Sequence, residues 1–220
     1  MPFQLHPHVT FCIIDGKAIF LDLGRDRYFA LDEQAAGVFS LILEPSAGHP
    51  PDEDVDALVR HGLGERVAGE VRVEAAPASV PHRSVLQSGQ PAAGISARGV
   101  VEVGAALFLA RRAVRTGRLK SVIDRLGARN ARGRRSGDPD RARELARTFL
   151  ANRPVVPLAH NCLIDSLALM RFLARRNAHA RLVFAVKLHP FAAHAWVQTD
   201  EELLNEHSDA AAEFTPILVV

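Results

Sequence analysis

A chain of 220 residues in which 48% are hydrophobic and 24% charged has ample material for packed cores, and that balance excludes disorder throughout. A formal charge of +2 is too small for the chain as a whole to bind nucleic acid, although arginines crowd the stretch from Arg111 to Arg147. No apolar run reaches the roughly 18 residues needed to span a bilayer, and the opening MPFQLHPHVT has no basic start followed by an apolar core, so a cytoplasmic protein is expected.

The first part alternates as strands do. VTFCIID, a turn at Gly16, KAIFLDL, a turn at GRDR and then RYFALD predict an antiparallel meander. Asp32 is placed to cap a helix over EQAAGVFSLILE, in which Ala35, Val38, Phe39 and Ile42 fall at helical spacing. DEDVDALVRHGL predicts a second helix ending near Gly62 or Gly64, and EVRVEA one further strand. Residues 1–76 thus form one unit, and 77–97, rich in Pro, Ser, Gly and Ala, a linker.

Residues 98–123 carry a long helical pattern. The basic stretch 127–137 lacks apolar periodicity and predicts a mobile loop, followed by a helix over DRARELARTFLANR capped by Asp138 or Asp140. CLIDSLALMRFLARRN is strongly amphipathic, with Leu163, Leu167, Met170 and Leu173 along one face. Strands follow at ARLVFAVKL, HAWVQ and ELLNE, and the apolar tail FTPILVV packs down.

Cys12 and Cys162 lie far apart in unlike contexts, which in a reducing compartment predicts two free thiols. Cys162 opens a helix, whose unpaired amides favour a thiolate; a buried, inert cysteine is the bland alternative. His194, on a later strand, supplies a base. A hairpin of HAWVQ with ELLNE around the loop Thr199–Glu201 puts Glu206 opposite His194, and a one-residue change of register puts Asn205 there instead. His160, Cys162, His189 and His194 are metal-capable types, but no C-x-x-C pair or H-E-x-x-H helix accompanies them, so no metal is expected. Without a Walker loop or dinucleotide fingerprint, no cofactor is expected either.

NCLIDSLALMRFLARRNAHARLVFAVKLHPFAAHAWVQ, with LLNE and FTPILVV after it, resembles the C-terminal domain of the lasso-peptide leader peptidases, or B proteins, of the transglutaminase-like cysteine protease superfamily. The resemblance covers about residues 100–220 and rests on C-L-x-x-S-L-A-L and P-F-x-A-H-A-W-V. It implies an endopeptidase with Cys162 as nucleophile and His194 as its base. At the third position, where the family usually has aspartate, this chain has Glu206 after Asn205.

Residues 1–76 are similar in pattern to the leader-recognition element fused to such proteases, a small winged-helix-like domain like the chaperone of pyrroloquinoline quinone biosynthesis. In that family the leader adds as a strand beside the third strand and seats its side chains against the last helix. The contacts this implies are Tyr28, Phe29 and Leu31 on one side and Val55, Leu58 and Val59 on the other.

The expected architecture is therefore α+β, a winged-helix-like leader-recognition domain followed by a papain/transglutaminase-like cysteine protease domain over 98–220. The implied partners are a lasso precursor and an ATP-dependent, asparagine-synthetase-like cyclase, with no nucleic acid and no membrane. Two rivals stay open: a non-catalytic carrier that delivers the precursor to the cyclase, and a nucleic acid regulator using the arginines of 111–135.

Overall fold

The computed structural model describes residues 3–44, 50–67, 73, 75, 79–89, 94–133 and 138–220, with 130–133 described by backbone alone. The architecture is α+β, and the chain divides into two compact units, Met1–Pro77 and Ala78–Val220.

In the first unit, β2 (Val9–Ile14), β3 (Lys17–Asp22) and β4 (Arg27–Ala30) form an antiparallel meander in that order. Asp15 and Gly16, at φ of 50° and 74°, make the left-handed turn that joins β2 to β3. Asp22 shapes the next turn by accepting from the amides of Gly24 (2.9 Å) and Arg25 (3.1 Å). The apolar positions of β2 and β3 face α1 (Glu33–Leu43), and Phe39 meets Phe11 and Phe20 edge-on at 5.1 and 5.0 Å. Each such aromatic contributes about 1.5–3 kcal/mol by leaving water.

Asp32 caps α1 by accepting from the Ala35 amide at 2.8 Å. Helix α2 (Asp52–Arg60) completes the core with Val55 and Leu58. A further pair, β1 (Phe3–Leu5) with β5 (Gly64–Arg66), has no sequence signal of its own. It requires Gly64, where an added Cβ would come within 2.0 Å of the Gln4 carbonyl. The strand expected at EVRVEA falls largely outside the described residues.

The second unit packs helices on a five-stranded sheet of order β10-β7-β8-β9-β6. Strands β7 (Arg181–Leu188) and β8 (Phe191–Gln198) are a tight hairpin that pairs Ala185 with His194. Strand β10 (Thr215–Val219), the apolar tail, adds antiparallel to β7. Helix α6 (Cys162–Ala174) lies against this sheet with α3 (Ala97–Arg115) and α5 (Pro139–Asn152), and Phe149 of α5 meets Phe172 of α6 edge-on at 5.6 Å.

Four expectations differ here. The helical pattern at 98–123 breaks into α3 and α4 (Leu119–Gly133), because Gly117 at φ 65° lets the Arg118 amide turn back to the Ala113 carbonyl at 2.9 Å. Much of the expected basic loop is the continuation of α4, where Arg129 donates to the Ala174 carbonyl at 2.6 Å and ties the helix to the end of α6. Residues 134–137 lie outside the described residues.

Within the expected linker, Arg83–Ser84 forms β6, parallel to β9 (Glu202–Leu203), and the buried Val85 begins a turn of 3-10 helix. Backbone pairing to β9 holds it there whatever its composition. Strand β9 is much shorter than ELLNE and pairs Leu203 with Gln198, one position from the expected register. The reason is Thr199, whose hydroxyl accepts from the amides of Glu201 (3.4 Å) and Glu202 (3.1 Å) and lengthens the turn. Among the described residues no helix is long and apolar enough to cross a membrane.

Candidate active site

Cys162 is the first residue of α6, and the helix is capped by Asn161, which accepts from the Ile164 amide at 3.0 Å. The loop before it is held by a buried arginine. Arg153, 4% exposed, donates through Nε to Asp165 at 2.7 Å and through its guanidinium to the carbonyls of Leu158 (3.0 Å) and Ala159 (3.3 Å). Because every face of this charge finds a partner, its burial is tolerated. Asp165 also accepts from the Asn161 amide at 3.3 Å, so one carboxylate ties loop, cap and first helical turn together.

His194 stands on β8 with its Nε2 on the Glu206 carboxylate. Nε2 being engaged, Nδ1 is left for the Cys162 thiol, which hydrogen-bonds the ring. The imidazole is walled by Phe214 at 5.1 Å and Trp196 at 6.0 Å, ring centre to ring centre. Trp196, fully buried, donates its indole N–H to Gln198 at 2.8 Å, which fixes the floor under the histidine. Glu206 is set by the His207 amide (2.8 Å) on its second oxygen and by the Ser84 hydroxyl (2.5 Å) on its carbonyl.

The charges reinforce one another. The bond from His194 pulls the Cys162 thiol below its ordinary pKa against the opposing effect of burial, and amides of Ala195 and Leu163 add to the pull. The bond to Cys162, then that to Glu206, lifts His194 to about 9. Burial works against ionisation of Glu206, yet His194 and the His207 amide leave its carboxyl below the usual range. The three shifts run in one direction, each favouring a thiolate beside an imidazolium beside a carboxylate.

Cys162, His194 and Glu206 are thus brought together. Asn205, the alternative for the third position, is elsewhere: its oxygen accepts from the Val197 amide at 2.7 Å and its nitrogen donates to Ser166 at 3.0 Å. His160 is paired with Asp165 at 3.2 Å. Among the described residues no three His, Cys, Asp or Glu side chains gather as metal ligands.

The sequence reading gives Ser84 and Arg153 no role, and Ser166 enters it only as a letter of the C-L-x-x-S-L-A-L motif. The partners named here for Ser84, Arg153 and Ser166, Glu206, Asp165 and Ala195, lie 122, 12 and 29 residues away, separations without a local pattern.

In the first unit, Tyr28 and Phe29 lie on β4, an end strand of its sheet among the described residues, and Leu31 follows it. Phe29 stacks on Phe20 at 5.2 Å under the Arg27 guanidinium. Phe29, Leu31 and Val59 are half-buried against the core. Val55 and Leu58 differ from the expectation: at 5% and 0% exposure they lie inside the core, because α2 turns them toward Phe3 and Leu63. They can shape a peptide's seat only from beneath.

This geometry has relatives. The family model of the transglutaminase-like superfamily matches residues 104–219, just over half of the chain, and the chain belongs to that superfamily. Separately, a stretch of 46 residues is 41% identical to the Microcin J25-processing protein McjB of Escherichia coli, covering 21% of this chain and 22% of that protein. No solved structure matches the chain.

Proposed function

We propose that the protein is a cysteine endopeptidase that removes the leader from a ribosomally made lasso-peptide precursor. The observation that carries this reading is the contact of Cys162 with His194 and of His194 with Glu206. Membership in a superfamily with transglutaminase-like chemistry and the likeness to a microcin-processing protein support it.

The Cys162 thiolate attacks the scissile carbonyl and forms a tetrahedral oxyanion, with the Cys162 amide at the helix start as one donor to it. Imidazolium His194 gives its proton to the leaving amine, the C–N bond breaks, and the acyl group stays on sulfur as a thioester. Neutral His194 then takes a proton from water, whose oxygen attacks the thioester. Collapse releases the new carboxyl end and returns the thiolate and imidazolium. Glu206 holds the ring's orientation and charge through both halves.

Residues 1–76 serve in this reading as the leader-binding domain, with the leader added as a strand beside β4 near Tyr28, Phe29, Leu31 and Val59. Tethering by a remote site raises the effective concentration of the cleavage site at the sulfur, so the cleft itself need select few residues. The cleaved core then passes to an ATP-dependent cyclase.

The test is mass spectrometry of a synthetic lasso-peptide precursor, incubated with the wild-type protein and with Cys162→Ala. Separate leader and core masses with wild type, and intact peptide that stays bound to Cys162→Ala, are expected. Equal cleavage by both would remove the peptidase reading, and binding without cleavage by either would favour a carrier.

A further inference from the structure

Strand β8 is bordered by β7 along its whole length on one side, but on the other β9 pairs with it only at Gln198. Ala195 and Val197 point their N–H and C=O groups to that open side. Buried backbone groups need partners, and here side chains supply three of the four in place of a strand. At Val197, the amide donates to the Asn205 oxygen at 2.7 Å while the carbonyl accepts from the Leu204 amide at 2.8 Å. At Ala195, the carbonyl accepts from the Ser166 hydroxyl at 3.0 Å and the amide donates to the sulfur of Cys162. The Asn205 side-chain nitrogen donates to Ser166 at 3.0 Å and closes the group.

Each member is a near neighbour of one residue of the site. Ser166 is one helical turn beyond Cys162 and on the same face of α6. Ala195 follows His194 on β8, and Asn205 precedes Glu206. Ser166 is fully buried, so its hydroxyl has no water to fall back on.

We propose that Ser166 and Asn205 are positioning residues that set the separation of Cys162 from His194, by clamping the head of α6 to the edge of β8 where the neighbouring strand is missing. The inference rests on the peptidase reading. The clamp also keeps the Ala195 amide aimed at the sulfur. Without it, β8 and α6 are joined near the site only by the contacts of Cys162 itself and by apolar packing, which resists separation but does not fix sliding.

The experiment uses the full chain and iodoacetamide, and follows alkylation of Cys162 against pH by mass spectrometry, with thermal unfolding measured in parallel. Ser166→Ala and Asn205→Ala are expected to move the midpoint up toward that of an ordinary thiol. The rate on the acid side falls about tenfold for each pH unit of that displacement. Ser166→Thr, which keeps the hydroxyl, returns toward wild type.

Folded Ser166→Ala and Asn205→Ala with the wild-type midpoint would overturn the proposal, even if both melt earlier, since a purely structural bond lowers the melting temperature without moving the thiolate. Should Ser166→Ala fail to fold, Asn205→Ala, at a half-buried position, decides by the same midpoint. A wild-type midpoint at the ordinary thiol value would instead overturn the peptidase reading, and the clamp with it.

Discussion

The two cysteines of this chain are the same side chain in opposite settings. Cys12 sits on β2 inside the first unit, 2% exposed, and burial alone pushes its thiol up to about 11. Cys162 is half-buried, and burial opposes its ionisation as well, yet its thiol is pulled below the ordinary value, because His194 and two backbone amides stabilise the charge. The difference teaches that burial, which opposes ionisation of both sulfurs, does not decide which is reactive. What matters is whether donors face the sulfur, and those donors here come from two elements, the head of α6 and strand β8.

The largest way to break that contrast is His194→Ala. It removes the first cause of the lowered thiol pKa and, in the proposed mechanism, the proton donor to the leaving amine, so precursor turnover is expected to fall about a thousandfold, within the range of general acid–base catalysis. The same variant should bring the alkylation midpoint of Cys162 up toward that of a free thiol. Turnover that survives His194→Ala would mean that the sulfur owes nothing to the imidazole.

Glu206→Gln comes next. Because the contact with Cys162 does more than Glu206 to hold the proton on His194, the expected loss of turnover is smaller, about a hundredfold. A measured loss as large as that of His194→Ala would show that the carboxylate, not the thiolate, carries the ion pair.

Changing pH sharpens the contrast without mutation. Cys162 ionises below the ordinary thiol range, and the proposed turnover is expected to rise with it. His194, with its raised pKa, keeps its proton until about pH 9, and turnover falls through that value. A profile still rising beyond it would place the proton elsewhere. The smallest effect is expected from Cys12→Ala, which should leave turnover unchanged and cost about 1 kcal/mol in chemical denaturation as a small core defect.

Which parts were legible in the sequence follows from how far apart the interacting groups are. The meander, the Asp32 cap and the helical run of α6 are written in turn residues and periodicity over a few positions, although α6 is buried nearly all round and not along one face as expected. So is the fact that Cys162 opens a helix, since Asn161 just before it is a capping residue.

The proximity of Glu206 to His194 was reached through a hairpin register that the chain does not use: Thr199 lengthens the turn, and the segment after Leu204 leaves the ladder to bring Glu206 back to the ring. Asn205 then fills the gap in the ladder instead of meeting the imidazole. The role of Ser84 was hidden by a Pro/Ser/Gly-rich context, because a parallel pair of two residues with β9 depends on a partner more than a hundred residues away. Val55 and Leu58 share one face of α2, and the spacing that marks a helix face leaves open whether it is turned to a core or to a peptide.

The most direct measurement is alkylation of the native protein by iodoacetamide at about pH 6, where an ordinary thiol is almost wholly protonated. The account predicts rapid modification of Cys162 alone, with Cys12 untouched until the chain is unfolded. Slow modification of both, speeding up only near the pKa of a free thiol, would contradict it.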